Sequence, residues 1–182
     1  MIKTKDIIDE YDSRIRKISK EVTFPLDDKT KKIINDSLEM LRLSQIDEEA
    51  KKYNLRPGMG LSLIQLGITK RIFVICYEVS EGVFEDYIVI NPKILSESEE
   101  MIYVEEGEGC LSINRPIEGI VPRHARIKVE YYDMDGNKVN KRFREELAIV
   151  FQHELDHLNG ILFYDHIDKK NPYKNANKYR AI

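Results

Sequence analysis

The spacing of apolar positions along the chain changes period twice. Between residues 28 and 52, Ile34, Leu38 and Leu41 recur at helical spacing, and the Asp27-Asp28 pair offers a helix start, so a helix is predicted over 28–52. It is expected to end near Arg56-Pro57-Gly58. The period then shortens. The run from Arg71 to Glu78 is rich in Ile, Phe and Val, and after Glu81-Gly82 a second run from Phe84 to Ile90 is closed by Asn91-Pro92. Together they predict a β-hairpin. Further strands are predicted over 93–96 and 101–104, then over 126–133 and 138–144 around the Asp135-Gly136 turn. Helical spacing returns over 147–158, where Glu145 and Glu146 favour a start and Gly160 suits a left-handed residue past the end. The expected order is a helix, an antiparallel β middle, and a second helix.

That second helix carries the candidate chemistry. At about 100° per residue, Leu147, Phe151 and Leu158 share one arc, Val150, His153, Glu154 and His157 fill the arc beside it, and Gln152 and Asp156 lie opposite. The polar trio therefore abuts an apolar stripe inside a mostly buried helix. Residues His153 to His157 read H-E-x-x-H, which sets two imidazoles one turn apart with a carboxylate beside them, the ligand half of a hydrolytic metal site. Two imidazoles and a carboxylate without partners are costly to bury, and a metal with its water removes that cost. Core histidines satisfied by backbone carbonyls are the competing reading.

A catalytic metal needs a third protein ligand and an open position. A metzincin would place a histidine three residues after Gly160, where this chain has Phe163, and no glutamate follows Glu154 to serve as a thermolysin-like ligand. The remaining candidates are His124, His166, Asp165, Cys76 and Cys110. Cys76 lies inside an apolar run, the setting of a small buried hydrophobe. Cys110 sits in the glycine-rich stretch Glu105 to Ser112, where the backbone can turn tightly and bring a thiolate and the next peptide N–H into one cavity.

Composition narrows the class without adding chemistry. The 182 residues, 42% hydrophobic and 34% charged, are enough for one domain with a real core, expected over 1–182, and too few for two. Two cysteines make no disulfide framework and read as reduced thiols, which with the absence of a signal-like or spanning apolar run implies a cytoplasmic protein without membrane contact. A net charge of −3 leaves no global basic footprint for nucleic acid. Lys169, Lys170, Lys174, Lys178 and Arg180 form a local basic tail, read as a solvated end.

Three motifs in order make the chain resemble the peptide deformylase family: Gly58-Met59-Gly60-Leu61-Ser62-Leu63-Ile64-Gln65, Glu108-Gly109-Cys110-Leu111-Ser112, and Gln152 to Leu158. The N-terminal helical extension, and a tail without a long helical pattern, resemble the second type found in Gram-positive bacteria. The resemblance implies an α+β fold in which antiparallel β-sheets pack around the H-E-x-x-H helix. It implies Cys110, His153 and His157 as ligands of one divalent metal, iron(II) by family preference with zinc, nickel or cobalt accommodated. It implies Glu154 as general base and acid, with the Gln65 side-chain amide and the Leu111 backbone N–H as oxyanion donors. Met59, Gly60, Gly109 and Val150 would bind substrate, the Met59-Gly60 stretch as an edge that a peptide pairs with like an added strand. An ion pair of Glu108 with Arg123 behind the metal loop is implied too, with a simple surface pair as the other possibility. The implied substrate is an N-formyl-methionyl nascent peptide, met by a monomer in transient contact with the ribosome, with formate as a product.

The chain departs from the family pattern at Ser62, Leu63 and Ile64, where two small residues and then Pro or Thr are usual. Leu63 puts extra carbons where a small residue is usual, which leaves two outcomes open: overpacking that displaces Gln65, or absorption by compensating changes. Other readings are an amidase with altered acyl or peptide preference, a metal- or peptide-binding module without turnover and, by motif class, a zinc endopeptidase.

Overall fold

The computed structural model describes residues 2–182. The expected N-terminal helix is two: α1 (Asp28–Ser44) and α2 (Asp47–Tyr53). Gln45 ends α1 because its side-chain amide donates to Leu41 O, Gly58 O and Cys76 O at 3.2, 3.1 and 2.9 Å, while Ser44 Oγ donates to Leu41 O. Side chains that take the last carbonyls compete with continued helix. Ile46 is extended, and Asp47, Glu48 and Glu49 then open α2 where the helix dipole favours acids.

The hairpin forms as β2 (Ile72–Ser80) and β3 (Val83–Glu97), but β3 runs on through Asn91-Pro92 and absorbs the separate strand expected over 93–96. A register shift there lets the strand continue. Asn91 takes a positive φ of 50°, and its side-chain amide exchanges two 2.9 Å hydrogen bonds with Val22. With β1 (Gly60–Ser62), β6 (Arg126–Tyr132) and β7 (Lys138–Arg144), they make an antiparallel sheet of order β1-β2-β3-β6-β7. The strand expected over 101–104 forms as β4 (Met101–Tyr103) in a second sheet, between β5 (Arg123–His124) and β8 (Arg180–Ala181), and it pairs with β8 in parallel. β1, β5 and β8 are too short to show a period in sequence.

β2 explains the layering. Alternate residues point to opposite faces, so Ile72, Val74 and Cys76 join α1 in one core while Phe73 and Ile75 join the other helix, α3 (Glu145–Leu158), in a second core with Val129, Phe143 and Phe151. Phe73 meets Phe151 edge-on with centroids 5.0 Å apart, a favoured aromatic geometry. The five-stranded sheet is thus covered by α1 on one face and α3 on the other, the α+β arrangement of antiparallel sheets around a central helix. α3 starts where expected, although Glu145 has a φ of 54° as the chain turns the corner from β7, and Gly160 takes the left-handed conformation with a φ of 73°. No helix among the described residues is long and apolar enough to cross a membrane.

Candidate metal centre and active site

α3 lies against β1 and the glycine-rich loop, and all the residues of the candidate chemistry meet there. Cys110 Sγ is 3.3 Å from His157 Nε2, and the ligand atoms of Cys110, His153 and His157 lie within 4.8 Å of one another, all buried. The other third-ligand candidates are elsewhere. His124 contacts Ser98 O through Nδ1, His166 and Asp165 contact Asp156 and Arg16, and Cys76 is fully buried in the α1 core, where burial and the nearby Asp86 push its thiol up to about 12.

The imidazoles are not satisfied by backbone carbonyls. His153 Nδ1 lies 2.7 Å from Glu108 Oε2, which directs the ring's other nitrogen toward the cluster, and His157 Nδ1 is buried without a partner among the described residues. Burial lowers the His157 pKa well below the usual histidine range and keeps the ring neutral, the form a metal requires. A thiolate and two imidazole nitrogens drawn this close are a donor set for a divalent transition metal, so the residues present fit the ion that the resemblance implies.

Glu108 is fixed from behind. Arg123 grips its two oxygens at 2.8 and 3.0 Å, both side chains are almost inaccessible, and Arg123 also reaches Asp156 at 2.5 Å, which in turn meets His166. The pair is therefore a buried support of His153 rather than a surface ion pair. Burial disfavours the Glu108 carboxylate, yet Arg123 and the His153 hydrogen bond outweigh it and hold its pKa down to about 2.

Glu154 is buried beside the cluster with Oε2 accepting from Ser62 Oγ at 2.7 Å. Burial raises its pKa above the usual carboxylate range, with His153 and Ser62 pulling the other way. Gln65 is held at both ends: Oε1 accepts from Ser62 N at 2.9 Å, while Nε2 donates to Ser112 Oγ at 3.1 Å and faces Cys110 Sγ at 3.7 Å. A cleft of about 390 Å³ opens in front of these groups. Its lining includes Met59, Gly60, Gln65, Gly109, Cys110, Leu111, Val150, His153 and Glu154, while His157 lies behind it. Among the described residues, Leu111 N–H has no acceptor. β1 is the edge strand of the large sheet, so the Met59-Gly60 stretch borders the cleft on an unpaired edge.

The Polypeptide deformylase family matches residues 4–173, nearly the whole chain. The chain belongs to that family. It is 48% identical over 176 residues to the peptide deformylase of Ligilactobacillus salivarius, covering 94% of each chain. It is 43% identical over 182 residues to the peptide deformylase 2 of Bacillus subtilis, covering 100% of this chain and 99% of that one. The crystal structure of peptide deformylase from Thermotoga maritima superposes with a TM-score of 0.70 at 36% identity, covering 89% and 96% of the two chains. Membership carries a divalent metal and a hydrolase's chemistry, and the second-type resemblance stands with these relatives.

Several residues have roles at the site that the sequence did not signal. Ser62, read as a mild departure from pattern, hydrogen-bonds Glu154. Leu63 is fully buried among the α1-side residues rather than crowding the cleft, so Gln65 keeps its partners. Arg56 donates to the loop that carries Cys110 and Leu111. Glu146 and Ile149 line the cleft one turn before Val150 and His153 respectively.

Proposed function

We propose that this chain is a metal-dependent hydrolase that removes the N-formyl group from the N-terminal methionine of newly synthesised proteins and releases formate. Its residues 1–182 act as one catalytic unit. The observation that carries the reading is the convergence of Cys110, His153 and Glu154 on one buried wall of a cleft, with His157 just behind that wall and within reach of the same point, in a chain of this family.

Cys110, His153 and His157 would hold the ion, and iron(II) is the metal we favour by family likeness, with zinc, nickel and cobalt compatible with the same donors. A divalent ion bound there supplies Lewis acidity and lowers the pKa of water. Glu154 takes the proton of the attacking water. Its raised pKa suits it to hold that proton and then deliver it to the departing amine. The Gln65 side-chain amide and Leu111 N–H donate to the oxyanion as it develops at the formyl carbon, and Ser62 and Ser112 hold Gln65 at both ends while its second amide hydrogen, which faces Cys110 Sγ, is the one that turns to the oxyanion. Met59 and Gly60 pair with the peptide backbone along the β1 edge, Val150 helps line the methionine pocket, and Gly109 leaves room beside Cys110.

We further place the protein in the cytoplasm as a monomer whose meeting with the ribosome is transient. The basic tail supports no stronger contact, since Lys174 is paired with Asp168 and Arg180 with Glu100 and Glu145.

Formate release from a short formyl-Met peptide, measured on protein purified anaerobically with iron(II), tests the reading. The acetyl-Met peptide should be inert, and Glu154→Gln should lose at least about 1000-fold in kcat while retaining the metal, since it removes the general base. Equal turnover of the acetyl peptide, or an active Glu154→Gln protein, would overturn it.

A further inference from the structure

Arg56 lies between α2 and β1, in the wall of the cleft, and its guanidinium is spent entirely on the end of the glycine-rich stretch and the two residues after it. Nη2 donates to Cys110 O at 3.3 Å and Ile113 O at 3.1 Å, and Nη1 donates to Leu111 O at 3.2 Å and to Asn114 Oδ1. The planar fork of an arginine can serve such a set of acceptors at once, which a lysine ammonium on a flexible stem cannot. Among the described residues Arg56 has no carboxylate partner, so its charge is answered only by neutral oxygens of this loop.

Two of those oxygens flank the Leu111 amide group. The Cys110 carbonyl belongs to the same peptide unit as Leu111 N–H, and in a trans peptide the N–H points opposite to the C=O. Holding the Cys110 carbonyl on a cation therefore fixes the direction of Leu111 N–H, and it withdraws electron density from the amide, which strengthens the N–H as a donor. Without that hold only Ile113 N–H, at 3.1 Å from the Cys110 carbonyl oxygen, tethers the peptide unit, whose own N–H has no acceptor among the described residues, so its orientation is less firmly fixed. The backbone of Arg56 is itself tethered, its N–H donating to Thr4 Oγ1 at 3.2 Å.

We propose that Arg56 is a positioning residue for the reaction, locking the Cys110–Leu111 peptide so that its N–H is ready for the oxyanion. The inference rests on the deformylase reading for its catalytic consequence, but not for its structural one.

The test compares Arg56→Met and Arg56→Lys with the parent protein, all loaded with zinc. Arg56→Met is expected to lower kcat roughly 10- to 100-fold with KM changed less than about threefold, because an oxyanion donor acts only as charge develops. Arg56→Lys, which can serve fewer carbonyls, should fall between. Independently of turnover, the Leu111 amide resonance should move upfield or broaden in Arg56→Met while bound zinc stays stoichiometric. A purely structural arginine would instead lower the melting temperature and metal content and leave kcat per bound metal and the Leu111 resonance unchanged, which would overturn the proposal. If Arg56→Met does not fold, Arg56→Lys decides: kcat within about twofold of the parent and an unmoved Leu111 resonance sink the idea. An inactive parent protein would strike the deformylase reading, and the Leu111 resonance would still judge the role of Arg56.

Discussion

Gly60 and Glu154 are separated by about half of the chain and stand in contact. A Cβ on Gly60 would lie 2.8 Å from the Glu154 carboxyl carbon, closer than real side chains approach, so the glycine is required for the carboxylate to sit where Ser62 holds it. Gly60→Ala is expected to leave the metal bound and to lower kcat by roughly 10- to 100-fold, since displacing a proton-transfer group by a fraction of an ångström is costly. Metal analysis beside steady-state kinetics checks this, and a fully active Gly60→Ala protein would show that Glu154 has room to yield. In sequence, the glycine was legible as part of a motif. Its reason was not, because the atom it makes room for is contributed by α3.

At the scale of elements, β1 and the turn after it show how a departure from family pattern is absorbed. Leu63 turns away from the cleft and into the core formed with α1 and β2, where it is fully buried. Leu63→Ala should therefore cost about 2 to 5 kcal/mol in unfolding free energy, while kcat and KM remain near the parent values. Urea unfolding and formate release on the same preparation measure both halves, and a large kinetic effect at small loss of stability would restore the crowding that the sequence left open. α1 and α2 make a similar point. One helix was expected over 28–52 from a period carried by Ile34, Leu38 and Leu41, but the break at Gln45 depends on Gly58 O and Cys76 O, acceptors that only the folded chain supplies.

The N-terminal residues bind the whole molecule together. Ile8 N–H donates to Gln65 O, Glu10 N–H to Ser112 O and Ser19 N–H to Leu158 O, each at 2.8 to 2.9 Å, so one extended segment crosses all three motif regions. Ion pairs secure it: Arg16 meets Asp165, and Arg115 meets Glu10. Burial pushes the Asp165 carboxyl up, but the hydrogen bonds from Arg16 and Leu162 N–H outweigh it and hold it below the usual aspartate range, and Arg115 holds Glu10 below the usual glutamate range. A lowered folded pKa contributes stability above the unfolded value that is lost as pH falls through the folded one. Arg16→Met is therefore expected to melt about 1 to 4 °C below the parent at pH 7. The gap should narrow below about pH 4, where the carboxylates protonate. Melting curves from pH 7 to pH 2 test this, and a gap independent of pH would assign the effect instead to the Arg16 guanidinium lying over the Tyr164 ring, 5.6 Å from its centroid.

The sequence by itself determined the features that depend on neighbours along the chain. The helix bearing His153, Glu154 and His157, the hairpin around Glu81-Gly82 and the left-handed Gly160 all follow from period, spacing and local turn chemistry, which act over a few residues. Tertiary structure alone decided the support of those groups. It brought Ser62 to Glu154 across 92 positions, Arg56 to Cys110 across 54 and Glu108 to His153 across 45, and it aligned β4 with β8 in parallel. Such contacts have no period to read, because the separation along the chain between partners is set by the path of the fold. Their energies are realised only once burial has excluded water from both sides.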